Sequence, residues 1–384
     1  MIFNLGENDF LDIYFDSSAT TKPCKAAVDE ALKLMITEYG NPSSLHAKGF
    51  EAMTVLEQSR KTVAASLCAE PKEIYFTQSG TVANNTAVFG AVNSKRHQGN
   101  KIVTTATEHP SVARCMDALE SQGYEIIRLK PSADGNIPID AFEQAIDGGT
   151  VLVSAMAVNN ETGAILPFEK LKAAAKKKNS DALIHVDAVQ AYMKLPLNPA
   201  KSGIDLMSVS AHKVHALKGA GALYVSKNIK IKPYILGGGQ EQGLVSGTQS
   251  MPNIAAFAAA VSFLDGIKDR NENVKRLNAY LRNKLEKFDF VKINSPDNAL
   301  PYILNISLPG LPSQVGVNFF SGKGICLSAG SACSRGHRSD TLTAMGLDTK
   351  LIDSALRISF SYDSTEGEID YFADCLPEAV KLVK

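Results

Sequence analysis

Residues 151–155 read VLVSA, and residues 183–186 read LIHV. Neither run alternates apolar with polar side chains, as a strand with one wet face would. Both therefore imply strands covered on two faces, the habit of a parallel sheet. Working outward, further β-type runs lie at Glu73–Thr77, Lys101–Thr104, Glu125–Leu129 and Leu206–Ser210. Between them, Thr81–His97, Ser111–Gln122 and Phe168–Lys178 carry polar-faced helical patterns. Strands alternating with helices predict an α/β domain with a mostly parallel sheet. Past Lys218-Gly219-Ala220-Gly221, the run Ala222–Val225 reads as one more strand, lying close against its neighbour. After Met251 the texture changes to one long helical stretch reaching about Phe288. Short strands follow near Val291–Ile293, Ile303–Ser307 and Leu356–Phe360, with a final helix from about Thr365. The expectation is a large domain over residues 16–250 and a smaller α+β domain built from residues 1–15 and 251–384.

The 384 residues are 45% hydrophobic and 21% charged, ordinary for a soluble globular chain. Forty Lys plus Arg balance forty Asp plus Glu, which argues against a protein that coats nucleic acid. The most membrane-like tract, Gly243–Leu264, is interrupted by Pro252, and only Ile254–Leu264 is fully apolar, too short to span a bilayer. Glu7, Asp9 and Asp12 stand where a signal peptide would be basic and then greasy, so a cytoplasmic location is expected. The six cysteines (Cys24, Cys68, Cys115, Cys326, Cys333, Cys375) include no CxxC pair and are too sparse for a disulfide scaffold. Cys326, Cys333 and His337 are poorly spaced for zinc, and no metal is expected. Burial is expected of every cysteine except Cys333.

Three polar clusters fall where parallel strands end, the place where such folds bind ligands. Thr77-Gln78-Ser79-Gly80-Thr81 closes a strand and opens a helix, whose free N–H groups suit a phosphate. Asp187 directly follows LIHV, with Gln190 three residues on, and Lys213 follows the run Met207–Ser210. Singly, these have plain readings as a helix cap, a structural carboxylate and a surface lysine. Together they supply what pyridoxal phosphate requires: a phosphate cradle, an acid for the ring nitrogen and a lysine for the Schiff base.

The ordered motifs carry the reading further. They are Asp16-Ser17-Ser18-Ala19-Thr20-Thr21, Gly40-Asn41-Pro42-Ser43-Ser44, Thr107-Glu108-His109, Val158-Asn159-Asn160-Glu161-Thr162-Gly163 and His185-Val186-Asp187-Ala188-Val189-Gln190. Ser210-Ala211-His212-Lys213, Gly237-Gly238-Gly239-Gln240-Glu241, Ser246-Gly247-Thr248, Ser328-Ala329-Gly330-Ser331-Ala332-Cys333 and Leu356-Arg357-Ile358-Ser359 complete the set. In these motifs the chain resembles the cysteine desulfurases of the NifS/IscS type, class V aminotransferases with the fold-type I pyridoxal phosphate architecture.

The resemblance implies that Lys213 carries the cofactor, Asp187 pairs with its ring nitrogen, Gln190 bonds its phenolic oxygen and His109 stacks on the ring. It implies phosphate contacts from Gly80, Thr81, Ser210 and His212, with Thr248 supplied by the other subunit of a homodimer. Asn160 and Arg357 would hold the carboxylate of L-cysteine; a guanidinium fork matches a carboxylate. Cys333, near Arg335, would take the sulfur as a persulfide, leaving alanine, and pass it to an acceptor protein. The Cα base is Lys213 or His109. Iron–sulfur assembly, tRNA thiolation and thiamin-type sulfur supply are all open as destinations. Selenocysteine lyase, another class V activity and a non-catalytic scaffold are the alternatives. The chain departs from the family pattern at Gln78, Ser79 and Val82 and at Gln242 and Val245, where arginines are expected. It also departs at Ala216-Leu217, in place of glycine-proline, and in a loop after Cys333 about two residues short.

Overall fold

The computed structural model describes residues 12–179, 181–330 and 338–383. Its elements begin β1 (Ile13–Tyr14), α1 (Lys25–Ile36), α2 (Ala47–Ser66), β2 (Ile74–Thr77), α3 (Gly80–Lys95), β3 (Lys101–Thr105), α4 (Pro110–Ser121), β4 (Glu125–Leu129), α5 (Ile139–Ala145) and β5 (Thr150–Met156). They continue with α6 (Leu171–Lys176), β6 (Leu183–Asp187), α7 (Pro199–Ser202), β7 (Leu206–Ser210), β8 (Gly221–Val225), α8 (Met251–Asp265) and α9 (Arg270–Leu285). The last are β9 (Lys292–Ile293), β10 (Ile303–Ser307), α10 (Ser313–Gly322), β11 (Ile325–Cys326), α11 (Asp340–Ala344), α12 (Thr349–Ile352), β12 (Ala355–Ser359) and α13 (Glu366–Ala379).

Seven strands form one sheet in the order β2-β8-β7-β6-β5-β3-β4. Only β8 runs against its neighbours; the other pairings are parallel. VLVSA and LIHV lie side by side as β5 and β6, with every residue buried. Their lack of alternation has a direct cause. Leu152 and Leu183 pack into the apolar cluster with α3 and α4, while Val153 and Ile184 belong to the core on the opposite face with α8. Gly221 starts β8 because a Cβ there would come 2.8 Å from the Val209 oxygen and the Ser79 carbonyl carbon.

A second sheet, β12-β10-β9, is antiparallel, and β1 pairs in parallel with β11. Asp16 bridges to Ser359, so the first described residues lie against the last third of the chain.

Three expectations need correction. The stretch from Met251 is two helices rather than one: Asp269 adopts φ 54°, and the Arg270 guanidinium folds back onto the carbonyls of Leu264 and Met193. Cys68 is exposed, in a turn after α2 with φ 52°. Cys326 is exposed too, because the two-residue β11 turns Ile325 inward and the next side chain outward.

Helix α1 is apolar on two sides. Ala27, Ala31 and Leu34 enter the core, whereas Val28, Leu32, Met35 and Ile36, at the same helical spacing, stay exposed. Tyr39, Leu45, Phe50 and Met53 add exposed apolar side chains from the segment that follows and from α2.

Candidate active site

Strands β2, β3, β5, β6 and β7 run the same way, so their carboxyl ends share one edge. Just beyond those ends come Gly80, His109, Asn160 and Lys213, while Asp187 is the last residue of β6. The helices leaving this edge start with side-chain caps. Ser79 Oγ accepts from Val82 N (3.2 Å) at α3, and His109 Nδ1 accepts from Ser111 N (3.1 Å) at α4, where Pro110 occupies the first turn.

At the start of α3 a Cβ on Gly80 would stand 3.0 Å from Val189 Cγ2 and 3.1 Å from Ser210 Cβ. The helix start therefore sits directly against the end of β7, with Thr81 exposed beside it. Ser210 is buried and its Oγ has no partner. His212 Nδ1 lies 3.2 Å from Thr20 Oγ1; burial, reinforced by Lys213, pulls its pKa down to about 4.

Asp187 is buried at the end of β6. Its Oδ2 accepts from Asn84 Nδ2 (2.7 Å) and its Oδ1 from Val189 N (3.0 Å). Gln190 Nε2 donates to the Ser18 carbonyl (3.0 Å), while its Oε1 is buried without a partner. Lys213 Nζ donates to the carbonyls of Ser18 (2.5 Å) and Ala19 (2.7 Å). Burial lowers the His109 pKa, Asp187 opposes that shift and Lys213 adds to it.

The other wall comes from β12. Arg357 is 2% exposed. Its Nη1 donates to the Asn160 carbonyl (2.9 Å), and its Nη2 donates to Asp16 Oδ1 (2.8 Å) and Ser328 Oγ (3.2 Å). Ser328 Oγ also donates to Asp16 Oδ1 (2.6 Å), and Arg357 Nε is buried without a partner. Glu161, next in the chain, accepts from Ser339 Oγ (2.5 Å); burial raises its pKa against the pull of that bond and of Arg357.

Thr248 is exposed; a Cβ on the preceding Gly247 would stand 3.6 Å from Gln78 Nε2 of the phosphate turn, and Gly247 N is bonded to Gln240 Oε1 (3.0 Å). Its loop is tied down by the buried pair of Glu241 and Arg60 (2.7 and 3.0 Å). Where the resemblance expects arginines, Gln242 is exposed and Val245 is buried among apolar side chains. Cys333 and Arg335 lie outside the described residues.

Four residues escaped sequence reasoning. Asp16 and Ser18 sit in the first matched motif, Asn84 in the helix after the phosphate turn, and Glu108 beside His109. Glu108 Oε1 accepts from Thr105 Oγ1 (2.6 Å) and Met156 N (2.9 Å), Oε2 has no partner, and burial pushes the pKa up to about 8. For Asp16, Ser18 and Glu108 motif membership was the available signal, since none of the four stands out by type or spacing; Asn84 had no such mark.

Buried polar atoms normally find partners, and each orphan costs about 1–3 kcal/mol. Here Ser210 Oγ, Gln190 Oε1 and Arg357 Nε are all orphans on one site. Leftover hydrogen-bonding capacity beside a glycine-lined helix start, a strand-end carboxylate and a lysine fits pyridoxal phosphate. The aminotransferase class-V family model matches residues 13–372, and the chain belongs to that family of pyridoxal phosphate enzymes. Over 97% of its length the chain is 36% identical to a cysteine desulfurase of Nostoc sp., covering 94% of that protein. A solved NifS-like protein aligns with TM-score 0.91 at 35% identity, over 97% of this chain and 100% of the other. The structure of SspA in complex with cysteine aligns with TM-score 0.81 at 32% identity, over 91% and 98% of the two chains. Within the class, this chain is a cysteine desulfurase.

Proposed function

We propose that Asp187, Gln190, His109 and Lys213 hold the cofactor ring and Gly80, Thr81, Ser210 and His212 its phosphate. Arg357 and Asn160 receive the carboxylate of L-cysteine. One observation carries this division of roles. Among the buried polar atoms without partners, Ser210 Oγ, Gln190 Oε1 and Arg357 Nε belong to the residues assigned to phosphate, ring oxygen and substrate carboxylate respectively. When bound, the cofactor supplies an electron sink that acidifies Cα and loosens the Cβ–S bond.

The chain's own groups do the rest. Asp187, held by Asn84 and Val189, faces the ring nitrogen as an acceptor. Arg357, fixed by Asp16 and Ser328, orients the substrate. Lys213 takes up the Cα proton, while His109, whose Nδ1 already accepts from Ser111, is left to donate one. The Cys333 thiolate takes the substrate sulfur, an S–S bond forming as the C–S bond breaks; the electron pair stays on carbon, which is protonated to alanine. The persulfide passes to an acceptor protein, for which an iron–sulfur scaffold, a tRNA-thiolation protein and a thiamin-type sulfur carrier are the candidates.

The exposed apolar side of α1, continued by Leu45, Phe50 and Met53, supports a homodimer in which exposed Thr248 reaches the partner's phosphate site. Residues 16–250 form the large domain, and the remainder forms the small one carrying Cys333. The described cysteines are all free thiols, which suits a reducing cytoplasm. Among the described residues, no helix is long and apolar enough to cross a membrane.

The test is alanine formed from L-cysteine by purified protein with reductant. Wild type is expected to be coloured and active, Lys213→Ala to lose the covalent link and the activity, and Cys333→Ala to keep the colour but form no alanine. Wild-type alanine production by Cys333→Ala would remove Cys333 from its role.

A further inference from the structure

Asn84, on α3, is 1% exposed and touches Asp187 at the end of β6 and Ser111 at the start of α4. Its Nδ2 donates to Asp187 Oδ2 (2.7 Å) and to Ser111 Oγ (2.8 Å), which uses both amide protons. The amide cannot be turned round, because its oxygen would then face the Asp187 carboxylate. That oxygen, Oδ1, is buried and has no partner. An unsatisfied acceptor is tolerated here so that both N–H groups point at these two neighbours.

The contacts continue in one direction. Ser111 Oγ, with Asn84 donating to it, lies 2.8 Å from His109 Nδ1, and the Ser111 backbone N–H donates to the same nitrogen (3.1 Å). Two donors aimed at Nδ1 make it an acceptor, so the ring proton of neutral His109 is on Nε2. Burial favours that neutral ring. At the other end, Asn84 and Val189 N each engage one oxygen of Asp187, which fixes the carboxylate plane.

We infer that Asn84 is a positioning residue that governs two groups through one amide: it orients the Asp187 carboxylate and, through Ser111, holds His109 as the Nε2–H tautomer. The inference rests on the assignment of Asp187 and His109 to the cofactor ring.

The experiment uses holoenzyme carrying Asn84→Leu, close to the native side chain in size but with no donor, and Asn84→Ala should the larger variant fail to fold. Three quantities are read: the visible absorbance of the bound cofactor, the ring ¹⁵N signals of His109 (assigned with His109→Gln), and kcat against KM for L-cysteine. Either Asn84 variant is expected to shift the cofactor band and to move the His109 signals toward mixed tautomers. It should lower kcat about ten- to a hundredfold while KM changes less than about threefold. Ser111→Ala is expected to move the His109 signals and leave the cofactor band in place. If an Asn84 variant leaves either the band or the His109 signals as in wild type, the two-group role is overturned. Asp187→Asn is the control: a wild-type band and rate there would overturn the underlying assignment instead.

Discussion

The two ends of the site are prepared in different ways. At the end proposed to hold the ring and phosphate, the protein presents buried groups with unused capacity, Ser210 Oγ and Gln190 Oε1 among them. At the proposed carboxylate end, Arg357 keeps only Nε unpartnered, and its two terminal nitrogens are already engaged by Asp16, Ser328 and the Asn160 carbonyl. A resident cofactor stays, so fixed partners can wait for it. A substrate leaves after each turnover, and a buried guanidinium left alone between turnovers would be strongly destabilising. Asp16 answers that charge while the carboxylate position is empty.

Substitutions at the two ends should separate these designs. The largest effect is expected from Arg357→Met, which strands Asp16 and removes the fork. KM for L-cysteine should rise about a hundredfold or more, with the cofactor's visible band intact, as steady-state kinetics and absorbance would show. Asp16→Asn should move KM the other way. It keeps an oxygen for Ser328 and Arg357 but removes a negative charge that competes with the substrate, so KM should fall about two- to fivefold while stability drops by about 1–3 kcal/mol. A rise in KM would mean that Asp16 mainly aims the arginine and does not compete.

The smallest effect is expected at the ring end, from Glu108→Gln. Burial raises the Glu108 pKa in the folded chain to about 8, above the value of about 4.3 for an unfolded glutamate. Its stabilising contribution is therefore complete below the unfolded value and is lost as pH climbs toward 8. Thermal melts at pH 5 and pH 8 should show a smaller fall in Tm for Glu108→Gln than for wild type.

Much of the architecture was legible because burial on two faces leaves a plain mark. Leu206–Ser210 and Ile303–Ser307, buried throughout, are strands over the same residues in sequence and structure, and the partly exposed edge strand Glu125–Leu129 matches as well. The break after Asp265 was not legible. It is made by a left-handed Asp269 and a back-folded Arg270, and the apolar pattern gives no warning of either. At the site, Asp187 and Lys213 drew notice from their strand ends, but only taken together with the phosphate turn did they suggest a role. Arg357 needed the family resemblance, because its carboxylate partner is far away in the chain. Ser18 acts through its carbonyl, which every residue type offers alike, and a buried Asn84 looks no different in sequence from a solvated one.

The ribbon from Asp16 to Thr21 has a consequence in time. Asp16 meets Arg357 across 341 positions, and Ser18 meets Gln190 and Lys213 across 172 and 195. On a ribosome adding about 5–20 residues per second, Asp16 is made tens of seconds before its partner exists. Closing such long loops is entropically late and slow. The nascent chain can build the seven-stranded sheet and hold Lys213 at its edge, yet the carboxylate end stays unassembled until β12 has emerged. On the proposed assignment, order of synthesis thus becomes order of competence: the part that would hold the cofactor comes first, and the part that would admit an amino acid comes last.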